Sequence, residues 1–232
     1  MTILEMSLKI NGWRRVVKWA IWAVVGVLFL VFLIRVVSFE ANYYSEKEGS
    51  ERVVVESEDE EELIEVAPTE TEVKEYTVAA DRPRYLSIEK LSVKNARVLP
   101  MGVSSKGELT TPNNIFDVGW YENSGKPGQG GTMVIDGHNG GPHVHGVFKK
   151  LPELVKGDIV KIERGDGEVF KYEVVENVEV PLAESDAYMA TAAKSPEHGK
   201  ESVTLISCTG EWSQAQGTYL SRQFTRATLV QD

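Results

Sequence analysis

The sequence predicts an all-β domain of seven or eight strands, closed or nearly closed into a barrel, with few and short helices. Short runs rich in valine, isoleucine, threonine or tyrosine recur after residue 82: at 85–88, 96–99, 132–135, 159–162, 169–175, 203–206 and 223–230. Turn-forming stretches separate them, at 125–131, 156–158 and 164–167. The one clear helical candidate in this part is 183–194, with Asp186 near its start, and 152–155 suits a single short turn. A β-sandwich has the same periodicity and stays open at this level. There is no internal repeat.

Upstream of the domain the composition changes twice. The strongest apolar run is 16–34, interrupted only by Lys18, and it extends to 39 as a helix of 24 residues. About 20 apolar residues cross a bilayer core, and a lysine near one end snorkels to the interface. The run is longer than a signal-peptide core and no clean small-x-small site follows it, which favours an uncleaved transmembrane anchor. Lys9, Arg14, Arg15 and Lys18 precede its centre and Arg35 stands almost alone after it. The expected topology is single-pass in a bacterial plasma membrane, N terminus cytoplasmic and remainder extracellular. Residues 46–75 hold 13 acids against three bases, a composition that repels itself and reads as a tether. The expected organisation is a tail at 1–15, an anchor at 16–39, an acidic linker at 40–81 and a working domain at 82–232.

A formal charge of −10 argues against nucleic-acid binding, which needs a clustered basic surface. The single cysteine, Cys208, excludes an internal disulfide. In an exported domain a lone thiol invites oxidation, so a working role is more plausible there than in a cytosolic protein. Cys208 ends the alternating run 202–207, His138 follows the run 132–135, and Arg222 opens the last run. A thiolate to attack a carbonyl, an imidazole to move protons and a guanidinium to meet negative charge on oxygen are the parts of thiol acyl transfer. A packed, inert cysteine is the competing reading. No helix N terminus is evident beside Cys208, so histidine or arginine has to favour its thiolate. His143 and His145 raise a zinc set with His138 and Cys208, but the spacings match no zinc pattern and no cofactor is expected. His198 lies in a polar connection and reads as a surface residue. Arg226 shares a strand face with Arg222 and either lines a groove or pairs with an acid.

These segments, in order, resemble the sortase family of cysteine transpeptidases across the whole of 82–232. The resemblance rests on Tyr85-Leu-Ser-Ile-Glu-Lys-Leu-Ser-Val, Gly107-Glu-Leu-Thr-Thr-Pro112, Val118-Gly-Trp-Tyr121, Pro127–Gly128, Gly131-Thr-Met-Val-Ile-Asp-Gly-His138 and the segment 146–151. Thr204-Leu-Ile-Ser-Cys208 matches the Thr-Leu-x-Thr-Cys signature, with Ser207 in place of threonine, and Arg222-Gln-Phe-Thr-Arg-Ala resembles the arginine-bearing last strand. The resemblance implies an eight-stranded β-barrel with short helices, here preceded by the transmembrane helix. It implies Cys208 as nucleophile, His138 as proton-transfer residue and Arg222 as substrate clamp. It places 181–202 over a sorting-signal groove, with Ser207, Leu182, Ala187, Tyr188, Met189 and Arg226 as candidate substrate contacts. The implied partners are surface-protein or pilin sorting signals of the Leu-Pro-x-Thr-Gly type, and an amine from a cell-wall precursor or a pilin lysine. The compact domain and the Val118-Gly-Trp-Tyr121 block look more like classes D, E or F than A or B. A purely hydrolytic cysteine peptidase and a non-catalytic surface module are the alternatives.

Overall fold

The computed structural model describes residues 63–104, 107 and 109–230. They form α1 (Glu70–Glu75), β1 (Pro83–Ile88), β2 (Val93–Met101), β3 (Val118–Tyr121), β4 (Thr132–Gly137), β5 (Ile159–Arg164), β6 (Val169–Pro181), α2 (Leu182–Ala192), β7 (Ser202–Ser213) and β8 (Thr218–Leu229). The eight strands close into a barrel in the order β1-β2-β3-β4-β7-β8-β6-β5, and β5 pairs with β1. The β2–β3 and β4–β7 ladders are parallel and the others antiparallel.

Two apolar clusters account for the sequence pattern. Inside the barrel, Leu86, Ile88, Val98, Trp120, Met133, Ile135, Val203, Leu205 and Ala227 pack together with other buried side chains. Outside it, Val134, Ile206, Phe224, Val180 and Ala192 form a second cluster, which Tyr188 and Met189 of α2 help to cover. Strand β4 and the first half of β7, 202–207, are therefore buried on both faces, which is why apolar residues there fall on both sides of the strand, with Thr204 and Ser207 among them. Thr204 faces the outer cluster and satisfies its hydroxyl on Ala192 O at 2.6 Å, which ties β7 to the end of α2.

Strand and helix limits depart from the expected ones in instructive places. Helix α2 begins one residue earlier and ends two earlier than 183–194. Strand β3 is only four residues long and carries Gly119, so it has little strand signal. Strands β6, β7 and β8 run well past their apolar portions, because the ladder continues through Glu176, Asn177 and Glu179 opposite Arg226, Thr225 and Gln223. Cys208 therefore lies within β7 rather than at its end, and Arg222 lies within β8.

The N-terminal part of the expected architecture is corrected. Among the described residues no helix is long and apolar enough to cross a membrane. The longer of the two helices, α2, has 11 residues; at ~1.5 Å per residue it is about half as long as a bilayer core is thick. The segment 16–39 read as an anchor, with the tail before it, lies outside the described residues. The fold is thus the barrel with short helices. The membrane attachment, single-pass topology and plasma-membrane localisation drawn from that segment are withdrawn.

Residues 63–81 pack on the barrel. A capping box between Thr69 and Glu72 starts α1, with Glu70 and Glu72 in its first turn and Lys74 in its last, as the helix dipole favours. Tyr76 donates its hydroxyl to Val98 O at 2.5 Å, Tyr85 donates to Val73 O, and Arg84 Nε donates to Tyr76 O at 2.8 Å. Further upstream, Ile64 bridges to Asn114, and the Glu65 carboxylate accepts from His143 N at 2.9 Å.

Candidate active site

The three residues expected to carry the chemistry fall along one row of the barrel's outer surface. Strand β4 runs parallel to β7, with Ile135 opposite Leu205 and Asp136 opposite Ile206. Continuing that register by two residues brings His138, just past the end of β4, level with Cys208. On its other side Cys208 is the direct partner of Arg222 on β8. Two-residue alternation sets Cys208 on the side of Ile206, and Arg222 on the side of Phe224, both members of the outer cluster. The barrel thus brings residues far apart in sequence, His138, Cys208 and Arg222, into a single row.

Neighbours fix the row from below. Ser207, buried, donates its hydroxyl to Gly137 O at 2.8 Å, which joins the residue before the thiol to the residue before the imidazole. A side chain could not replace Gly137, because a Cβ there would lie 2.6 Å from the Phe148 ring. Ser207 is thereby a strand-to-strand tie, and its side chain is turned into the protein. The loop after His138 folds back on itself: Phe148 N donates to His138 O at 3.0 Å and Gly146 N to Asn139 O at 2.8 Å. His143 and His145 are exposed on this loop.

His138 Nε2 lies 2.7 Å from the carbonyl oxygen of Pro112. A carbonyl only accepts, so Nε2 carries the proton and Nδ1 is the acceptor in the neutral ring. Burial holds the imidazole below its ordinary pKa, and the Pro112 carbonyl opposes that by favouring the charged form. Cys208 is half-buried. Burial pushes its thiol up, the Arg222 guanidinium draws it down, and the Asp136 carboxyl pushes it up further. Arginine does favour the thiolate, and burial outweighs it.

The Arg222 guanidinium is turned to its own hairpin. Nη1 donates to Tyr219 O at 3.0 Å and Ser221 O at 3.1 Å, and Nη2 donates to Thr218 Oγ1 at 3.2 Å. Arg226 has a different position: Nη1 donates to Glu176 Oε2 at 2.5 Å, and Nη2 to Lys194 O at 3.0 Å and Thr191 O at 3.3 Å. It pairs with an acid and binds the carbonyls at the end of α2. Of the four α2 candidates, Tyr188 and Met189 pack on the outer cluster, with the Tyr188 ring 4.8 Å from that of Phe224. Leu182 is half-buried and Ala187 is exposed.

Sequence reasoning did not single out Asp136, Thr111 or Pro112. Asp136 had a signal, a carboxylate within the apolar β4 run; Thr111 and Pro112 lie in the long β2–β3 connection and entered only as the end of the 107–112 motif, with no role of their own. A groove of about 340 Å3 lies between α1, the start of β2 and residues 145–150, and none of His138, Cys208 and Arg222 lines it. That groove therefore lies apart from the row.

The sortase domain family matches residues 86–230. The chain belongs to the sortase family, which defines it as a protein with the fold and domain of cysteine transpeptidases. Among solved structures, it is similar to a sortase D5 transpeptidase from Clostridium perfringens, at 23% identity over 71% of this chain and 90% of that one, with a TM-score of 0.46. It is similar to sortase C from Streptococcus pneumoniae at 20% identity, over 75% of this chain and 76% of that one, with a TM-score of 0.47. A lid mutant of sortase A from Corynebacterium diphtheriae gives 26% identity, over 66% of this chain and 74% of that one, with a TM-score of 0.45. Among curated proteins, none matches the chain.

Proposed function

We propose that the chain is a cysteine transpeptidase that cleaves a Leu-Pro-x-Thr-Gly-like sorting signal and transfers the acyl part to an amine. The observation that carries this reading is the row of His138, Cys208 and Arg222 on one barrel face, in a chain of the sortase family. The Cys208 thiolate attacks the carbonyl carbon between threonine and glycine, and the electron pair moves to oxygen. Protonated His138 gives its proton to the departing amine as the carbon–nitrogen bond breaks, leaving a thioester on Cys208. The incoming amine loses a proton to His138, attacks the thioester and restores the thiol.

Arg222 stabilises the charge on the substrate oxygen. Its Nε–H has no partner among the described residues, and the three bonds of its Nη groups go to half-buried Thr218, Tyr219 and Ser221 of the β7–β8 hairpin. Helix α2, with Leu182, Ala187, Tyr188 and Met189, forms one wall of the peptide groove, and Arg226 holds that wall in place. In sequence the chain resembles the small class D, E or F type more than class A or B. The acceptor is an amine of a cell-wall precursor or a pilin lysine.

The test is turnover of sorting peptides with an added amine, followed by mass spectrometry of the products. The parent chain is expected to form amine-linked product in excess of free acid, and Cys208→Ala to form neither. Amine-linked product made at the parent rate by Cys208→Ala overturns the assignment. Free acid alone, at high amine concentration, replaces it with hydrolysis.

A further inference from the structure

Asp136 has the opposite circumstances from the other carboxylate buried nearby. Asp117 is 1% exposed and takes two hydrogen bonds from the Arg97 guanidinium, at 2.9 and 2.7 Å. Asp136 is mostly buried on the outer face of β4, two residues before His138, and among the described residues no lysine, arginine or histidine pairs with it. Its Oδ2 accepts the Thr111 hydroxyl at 2.6 Å. Space for it comes from Gly119 on the neighbouring strand, where a Cβ would lie 2.5 Å from Asp136 Oδ1. A carboxylate in such a place is costly to ionise and contributes nothing to packing that a valine would not.

Its neighbours give it a use. Thr111 is followed by Pro112, whose carbonyl holds His138 Nε2. The Thr111–Asp136 bond therefore pins the 109–112 segment across β4 at the residue before the one that orients the imidazole. Leu109 secures the other end of this segment on the outer apolar cluster. The charge of Asp136 also reaches the Cys208 thiol, where it opposes Arg222.

We propose that Asp136 is a positioning residue of the Cys208–His138 chemistry, holding the strap that orients His138 through Thr111 and setting an ionisable negative charge beside the thiol. The proposal rests on the transpeptidase reading for its reaction, and for its effect on the thiol on the register that sets Asp136 opposite Ile206, two residues from Cys208 on the same strand face. Tyr121 on β3 and Met101 at the end of β2 share a small cleft with Asp136, Cys208 on β7 is the thiol its charge reaches, and His138 lies two residues further along the chain past the end of β4. Arg222 on β8 acts on the thiol from its far side. Burial pushes the Asp136 carboxyl up to about 7, against the bonds from Thr111 and its own backbone N–H. It gains its charge near neutral pH, and the thiol becomes harder to ionise as it does so.

The experiment uses the full chain and three variants. Asp136→Asn keeps an oxygen for the Thr111 hydroxyl and removes the charge. Thr111→Val removes the strap bond and keeps the charge, and Thr111→Ser restores the bond. Because Cys208 is the chain's one cysteine, alkylation by iodoacetamide reads its thiolate directly as pH is varied. Asp136→Asn is expected to move the midpoint of that curve down by roughly 0.5–1 pH unit. Thr111→Val is expected to lower kcat on a sorting peptide by about three- to tenfold with little change in KM, and Thr111→Ser to recover it. An unmoved alkylation midpoint in Asp136→Asn, or parental kcat in Thr111→Val, overturns the proposal. If Asp136→Asn does not fold, the Thr111 pair decides it. A parent chain that turns over no sorting peptide refutes the transpeptidase reading instead, and the alkylation curve still decides for or against Asp136.

Discussion

Cys208 and Arg222 are direct partners across the β7–β8 ladder, yet the guanidinium reaches away from the thiol along its own hairpin to Thr218, Tyr219 and Ser221. The ladder fixes the distance between the two backbones, and the side-chain bonds fix which guanidinium nitrogens are already engaged. A planar group with five donors can hold the hairpin with its Nη atoms and still offer a donor to a substrate oxygen. A lysine cannot do both.

Arg222→Lys is accordingly expected to behave almost as poorly as Arg222→Ala. Loss of one oxyanion donor costs about 10²- to 10³-fold in kcat, and both variants should fall in that range. The check is steady-state kinetics on one sorting peptide. Lysine restoring most of the parent kcat would show that charge alone suffices.

The pH dependence follows from two opposed shifts. Burial raises the Cys208 thiol above its ordinary value and lowers the His138 imidazole below its own. As pH rises, the imidazole loses its proton first and the thiol later, so neutral His138 beside neutral Cys208 is the main form between the two. The thiolate–imidazolium pair that the proposed mechanism uses is its minor tautomer. With ordinary values of about 6.5 and 8.5 its share is roughly 1 in 100, and both shifts reduce it. The profile of kcat/KM should be a bell, rising through the titration of His138 and falling through that of Cys208. A flat profile from pH 5 to 10 would contradict the pair.

Asp136 also leaves a mark on stability. Its folded value of about 7 lies above the ordinary carboxyl value, so the folded chain holds a proton there that the unfolded chain releases. Stability from this group is present at acid pH and is lost as pH rises through the window from the ordinary value to about 7. Asp136→Asn should melt at a higher temperature than the parent at pH 8, by an amount equivalent to roughly 2–4 kcal/mol, and close to the parent at pH 4. Thermal melts at the two pH values check this. The same difference at both would mean that the side chain acts by packing.

On the proposed reading, Arg226 holds α2, the proposed groove wall, without touching the reaction. It is 6% exposed and joins Glu176 on β6 to the carbonyls of Thr191 and Lys194 at the end of α2. Arg226→Ala removes these bonds and is expected to cost about 3–5 kcal/mol, toward the lower end because Glu176 regains water. At temperatures where the variant stays folded, KM should rise more than kcat falls. Melting and kinetics together test it, and a fall in kcat alone would move Arg226 into the chemistry.

Much of this was legible before the fold was known, for identifiable reasons. The apolar runs of β4 and β7 are covered on both faces, so 132–135 and 203–206 stand out in the sequence. The motifs around His138, Cys208 and Arg222 sit on those strands and on β8, so their assembly follows once β4, β7 and β8 are neighbours. Strand ends were not legible. In β6 and β8, Glu176, Asn177 and Gln223 continue the ladder with polar side chains, and Asn177 accepts from both Gln223 and Thr225. The Pro112 carbonyl on His138 was hidden too, since a backbone oxygen has no signature and its segment crosses β4 only in the folded state. Arg226 shares a strand face with Arg222, and the place of Arg222 at the strand's entrance favoured it only weakly; the bonds of Arg226 to Glu176 and to the carbonyls of Thr191 and Lys194 set the two apart.

The central claim is that Cys208 carries the acyl group between the two substrates. Intact-mass spectrometry of the chain mixed with a sorting peptide and no added amine tests it most directly. The account predicts an increase equal to the peptide's acyl portion, mapped to Cys208, discharged when an amine is added and absent in Cys208→Ala. Amine-linked product formed while Cys208 stays unmodified, or formed equally well by Cys208→Ala, would contradict it.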